Sequence, residues 1–134
     1  MVNKVFINLP VKNLKRAVDF YTALGFTTNN RFADENGVCI VISDSIYVML
    51  LVEKFFNSFT KKAIVDTQST SEVIIALSAK SRENVNELLE KAINAGGKTT
   101  INEDREWMVS KGFTDLDGHH LEIFFMDENN IPKQ

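Results

Sequence analysis

The 134-residue sequence predicts an α+β fold in which one strand–helix–strand–strand–strand unit is used twice. Two observations carry this. The hydrophobic period changes from strand-like alternation to helical spacing near Leu14 and again near Ser81, and three strand-like runs follow each helix. In addition, Leu24-Gly25-Phe26-Thr27-Thr28 corresponds to Ala95-Gly96-Gly97-Lys98-Thr99-Thr100, displaced by close to half the chain. Two similar modules fit that displacement, whereas a solenoid needs at least three repeats.

Residues Lys4 to Leu9 alternate as a buried strand would, and Pro10 is expected to end its ladder. Leu14, Ala17, Val18, Tyr21 and Leu24 then share one helix face, with Asn13 as N-cap and Gly25 as the residue past the C-cap. Strands follow at Phe26 to Arg31, Val38 to Ser43 and Ile46 to Val52, separated by Asp34-Glu35-Asn36-Gly37 and Asp44-Ser45 as turns. Module one therefore covers about residues 1–52. Residues 53–71 break the rhythm with Phe55, Phe56 and Phe59 before a polar run, and read either as a long linker or as a lid. In module two, about residues 72–126, Val73 to Ala79 is a strand. Ser81 caps a helix with Val85, Leu88, Leu89, Ala92 and Ile93 inward, and Gly96-Gly97 ends it. Lys98 to Ile101, Trp107 to Phe113 and His120 to Phe125 supply three more strands, and residues 127–134 form a tail. Each module alone is too small to bury a core, so the two form a single domain over residues 1–134 or pair with counterparts in another chain.

Composition narrows the function. Fifteen Lys and Arg against eighteen Asp and Glu leave a net charge of −3, which argues against a nucleic-acid partner. No apolar run approaches the ~20 residues of a membrane helix, so no membrane partner is expected. The single cysteine, Cys39, has no partner for an internal disulfide, and Met1 leads into an amphipathic strand rather than a signal peptide; a cytoplasmic location is expected. The two histidines, His119 and His120, are adjacent, which excludes sites built from imidazoles on separate elements.

The segment Asn8-Leu9-Pro10-Val11-Lys12-Asn13-Leu14, then Phe20-Tyr21 and Leu24-Gly25-Phe26, resembles the opening of the vicinal oxygen chelate superfamily, the glyoxalase, bleomycin-resistance and extradiol-dioxygenase group. Ala92-Ile93-Asn94-Ala95-Gly96-Gly97 and the closing Phe113-Thr114-Asp115-Leu116-Asp117-Gly118-His119-His120-Leu121-Glu122-Ile123 are also similar to that family. The resemblance spans nearly the whole chain. It implies two βαβββ modules curled into a half-barrel sheet around a central cavity, usually in a homodimer. In the metal-dependent members, such as lactoylglutathione lyase, four ligands come from the first and last strands of each module. Those positions fall at Phe6, near Met49, near Ile74 (Glu72 in an alternative register) and at Glu122. Only Glu122 keeps the family's ligand type, and catalytic zinc sites normally have three protein ligands. No cofactor and no standard metal site are expected.

Glu122, in an apolar strand, either faces solvent or faces the cavity, where it could act as an acid, a base or a hydrogen-bond acceptor. His120 shares its face two residues away and is either a surface residue or an acid–base partner; His119 points oppositely. Asp115, Asp117 and Gly118 read as turn chemistry rather than a calcium loop. Phe6, Met49 and Ile74 would make the cavity floor apolar, with Asn8, Tyr47, Ser110, Glu122 and His120 adding polar contacts and Trp107 among the aromatic lining. The expected function is binding of a small organic molecule, with Phe55 to Phe59 closing over it. The alternative is a divergent metal-dependent lyase or isomerase of the lactoylglutathione lyase type, using Glu122 with an ion held by Glu122, His120 and Glu72.

Overall fold

A computed structural model describes residues 1–133; the last residue of the tail, Gln134, lies outside them. In chain order the elements are β1 (Val5–Val11), α1 (Leu14–Ala23), β2 (Thr27–Asn29), β3 (Gly37–Val41), β4 (Ile46–Val52), α2 (Glu53–Phe56), β5 (Ile74–Ser78), α3 (Arg82–Asn94), β6 (Lys98–Arg105), β7 (Met108–Thr114) and β8 (His120–Met126). They form two open four-stranded sheets, ordered β1-β4-β3-β2 and β5-β8-β7-β6. Within each, the first and last strands of the module pair in parallel and the other pairs are antiparallel. One topology is therefore used twice, as the repeat requires.

The helix ends are set locally. Asn13 accepts the Arg16 N–H at 3.1 Å and Ser81 accepts the Asn84 N–H at 3.1 Å, each covering a donor the helix leaves free. At the other ends Gly25 (φ +101°) and Gly96 (φ +106°) adopt the left-handed conformation that reverses the chain into β2 and β6. The corresponding glycines of the repeat do the same work.

Several strand boundaries differ from expectation. Pro10 does not end β1, which pairs through Pro10↔Leu51 to Val11↔Val52. The reason is that β1 is an edge strand, so the missing N–H costs no ladder bond on its open side. The second strand stops at Asn29, whose side chain accepts the Arg31 N–H and starts a 3₁₀ turn at Asn30–Phe32. The third strand spans Gly37–Val41 rather than running to Ser43, because Ile42 and Ser43 already bond the Ile46 carbonyl in the hairpin turn. Conversely, β6 runs on to Arg105, and Trp107 sits in the β6–β7 turn rather than in a strand. Arg82 holds that turn, bonding Asp104 at 2.7 Å and the carbonyls of Arg105 and Glu106.

Both modules feed one core. Leu9, Val11, Phe20, Tyr21, Val48 and Leu50 from the first pack in the same cluster as Leu77, Val85, Val109, Phe113, Leu121 and Ile123 from the second. Phe20 meets Phe113 with ring centroids 6.2 Å apart, so α1 reaches across to β7. On α3 only Val85 and Ala92 are buried, and Ile93 is exposed. The opposite faces of the sheets carry Phe6, Asn8, Tyr47 and Met49 in module one and Ile74, Ser110, His120 and Glu122 in module two.

Candidate functional site

The junction between the modules is polar as well as apolar. The Tyr21 hydroxyl on α1 donates to Asp115 Oδ2 in the β7–β8 turn at 2.6 Å. Asp115 Oδ1 accepts the N–H groups of Asp117 (3.0 Å) and His119 (2.9 Å), which confirms the turn reading of this segment. Burial pushes the Asp115 carboxyl above its ordinary value, partly offset by His119 and these donors. Burial, then the Asp115 charge, pushes the Tyr21 phenol well above its ordinary value. His119 is 8% exposed and lies 2.7 Å from the Pro10 carbonyl through Nε2. A carbonyl only accepts, so Nε2 carries the proton. The open edge of β1 is thus tied to module two.

Residues 60–73 cross this junction and enclose a recess of about 400 Å³ against β1, β5 and the start of β8. Asn8 and Pro10 contribute from β1, Phe56 from α2, Ile64 and Val65 from the crossing segment, and Val73, Ile75, His119 and His120 from module two. Lys62, Ser71 and Glu72 add polar groups at its rim. The polar run is folded rather than slack. Asp66 accepts the Gln68 N–H and the Ser69 hydroxyl through its carboxylate, and its carbonyl accepts from Thr70. The Thr67 hydroxyl bonds the Asp117 carbonyl, which fixes the wall to the β7–β8 turn. A second, more open hollow continues from Asn8 and Phe56 toward Leu51, Phe59 and Thr60. Phe55 and Phe59 pack edge to face, centroids 5.1 Å apart.

The structure gathers some of the expected site residues and separates others. Asn8, His120 and Glu72 line the same recess. Phe6 stacks on Tyr47 (4.7 Å, 11° between planes) on the sheet face of module one, with Lys4 over the Tyr47 ring at 5.6 Å. Met49 is Asn8's partner on β4, and Ile74, 53% exposed, is paired with His120. Glu122 is half-buried between Ala76 and Gly112, and Ser110 pairs with Phe124; neither lines the recess. Trp107 lies in the distant β6–β7 turn, its carbonyl bonded to Asp127. Among the described residues no three His, Cys, Asp or Glu side chains gather where they could hold a metal ion, so Glu122, His120 and Glu72 form no such group. Cys39 is buried in β3, and burial pushes its thiol up.

Sequence reasoning missed the Tyr21–Asp115 contact and the burial of His119. An Asp followed four residues later by a His across a Gly turn was the available signal, but its partners are about a hundred positions away in sequence. It also missed Thr100, whose hydroxyl lies 2.9 Å from His120 Nε2. The signal there was Gly112, a glycine inside a strand, which often marks a close approach by another group.

Two open four-stranded βαβββ sheets sharing one core define a protein of the glyoxalase and bleomycin-resistance fold. A family model described as bleomycin resistance protein-like N-terminal matches residues 4–43. The hypothetical protein SA1046 of S. aureus is 30% identical, with 93% of this chain and 95% of that chain covered and a TM-score of 0.79. A glyoxalase-related enzyme from Fulvimarina pelagi superimposes with a TM-score of 0.78 at 17% identity, covering 93% of this chain and 88% of its own. The fosfomycin resistance protein FosX of Mesorhizobium loti does so with a TM-score of 0.70 at 14% identity, covering 96% of each. No curated protein sequence matches the chain. The comparisons therefore show the glyoxalase and bleomycin-resistance fold over the whole chain and a bleomycin resistance protein-like sequence over its first third. Among the described residues no helix is long and apolar enough to cross a membrane.

Proposed function

We propose that this protein binds a small, largely apolar organic molecule in the recess between its modules, as a cytoplasmic homodimer and without the family's metal. The observation that carries the reading is the recess itself. Its volume of about 400 Å³ falls in the range of small-molecule sites, and it combines apolar walls with a few convergent polar groups, Asn8, Ser71 and His120. A divalent ion does not fit the residues present. The four family positions hold Phe6, Met49, Ile74 and Glu122, one hard donor where three or more are needed. The half-exposed Phe6 and the exposed Ile74, one on each open sheet face, support a second copy covering those faces. The lone buried thiol of Cys39 suits a reducing compartment.

The experiment is a thermal-shift screen with a library of aromatic amides, phenols and carboxylic acids, run on wild type and on Ala63→Trp, which places a large side chain in the recess. A ligand of the native state raises Tm by mass action. Compounds that raise the wild-type Tm and lose that effect in Ala63→Trp support the reading; a library without one such compound contradicts it.

A further inference from the structure

Strand β6 carries one residue more than β7 needs. Pairing passes from Thr99↔Phe113 directly to Asn102↔Lys111, so Thr100 and Ile101 together oppose Gly112. This is a β-bulge, a device that re-aims side chains. Here Ile101 turns outward, 76% exposed, while Thr100 turns over the sheet and reaches His120 Nε2 at 2.9 Å. His120 is on β8, two strands away from β6, and the intervening strand is β7. Backbones two strands apart are separated by about 9–10 Å. The contact exists because nothing rises from β7 between them. A Cβ added to Gly112 would lie 2.1 Å from Thr100 Oγ1 and 3.2 Å from His120 Nε2. Bulge, glycine and threonine form one assembly aimed at the ring.

We infer that Thr100 is the positioning residue of His120, setting its imidazole to offer an Nδ1–H donor to an acceptor oxygen of the bound molecule. This rests on the recess being the binding site, since His120 lines it. Among the described residues Nε2 is the one acceptor found for the Thr100 hydroxyl. With the hydroxyl proton directed at Nε2, the ring's own proton sits on Nδ1, which makes no bond within the protein among those residues. The recess therefore selects molecules presenting a carbonyl or carboxylate oxygen beside an apolar body.

The test needs no ligand, so its failure is separate from failure of the binding reading. Protein labelled with ¹⁵N in the histidine rings is observed at about pH 8.5, two units above the ordinary histidine value, with His119 and His120 assigned from His119→Gln and His120→Gln. The expected wild-type result is one His120 tautomer, protonated on Nδ1, with widely separated nitrogen shifts. In Thr100→Val the two shifts converge as the tautomers mix, and Thr100→Ser restores the separation. Unchanged Tm in both variants removes a folding explanation, and if Thr100→Val does not fold, Thr100→Ser against Thr100→Ala is the comparison. A wild-type His120 protonated on Nε2, or identical shifts with and without the hydroxyl, overturns the inference.

Discussion

Tyr21 on α1 and Asp115 in the β7–β8 turn, 94 residues apart in sequence, share a buried 2.6 Å hydrogen bond that joins the two halves of the repeat. Tyr21→Phe keeps the ring and removes the donor, leaving Asp115 Oδ2 buried without it. A loss of about 1–3 kcal/mol is expected, read from urea denaturation at pH 7.

The same pair makes stability depend on pH in a defined direction. The Tyr21 phenol is held above its ordinary value by burial and then by Asp115, so the folded state keeps this proton longer than the unfolded chain. Its contribution is complete below about pH 10 and is lost as pH rises through the folded value. The Asp115 carboxyl is raised by burial, so its contribution is greatest below about pH 4 and declines as pH rises through its folded value. Urea midpoints followed across pH should lose the alkaline decline in Tyr21→Phe, and lose part of the acid-side slope in Asp115→Asn, which keeps an acceptor for the two turn N–H groups.

The paired helix ends give a matched comparison. A Cβ at Gly25 meets nothing within 4 Å, so Gly25→Ala carries the left-handed backbone cost alone, about 1–2 kcal/mol. At Gly96 the added Cβ also meets Leu116 Cδ2 at 3.0 Å. Gly96→Ala is therefore expected to cost more than Gly25→Ala, measured by the shift of their urea midpoints.

Phe113 is fully buried where α1 of one module meets β7 of the other. Phe113→Ala should cost about 3–5 kcal/mol and unfold both modules in one transition, because the core is common to them. Far-UV circular dichroism and Tyr21-region NMR signals that separate into two transitions would contradict a shared core.

The repeat was legible because its signals are local: Asn13 and Ser81 cap, Gly25 and Gly96 reverse the chain, and period changes mark both helices. Pro10 misled because a ladder-breaking residue on an edge strand breaks nothing, and edge position is a property of the whole sheet. The site was legible in part. Asn8 and His120 fall in the recess because β1 and the start of β8 meet at the module junction; face alone does not decide it, since Phe6 and Glu122 share their faces and lie outside it. Trp107 and Ser110 were placed by residue type alone, and type says nothing about which end of a strand meets the other module. Tyr21, Asp115, His119 and Thr100 owe their roles to contacts between distant elements, across the module junction or over Gly112, which no short window contains.

The most direct test of the recess as the binding site is ¹H–¹⁵N NMR mapping with a compound from the thermal-shift screen. The account predicts that shift changes cluster at Asn8, Ile64, Val65, Ser71, Glu72, His119 and His120, around one recess between the modules. Changes confined to the open sheet faces, around Phe6, Tyr47 and Met49 or around Ser110 and Glu122, would contradict it.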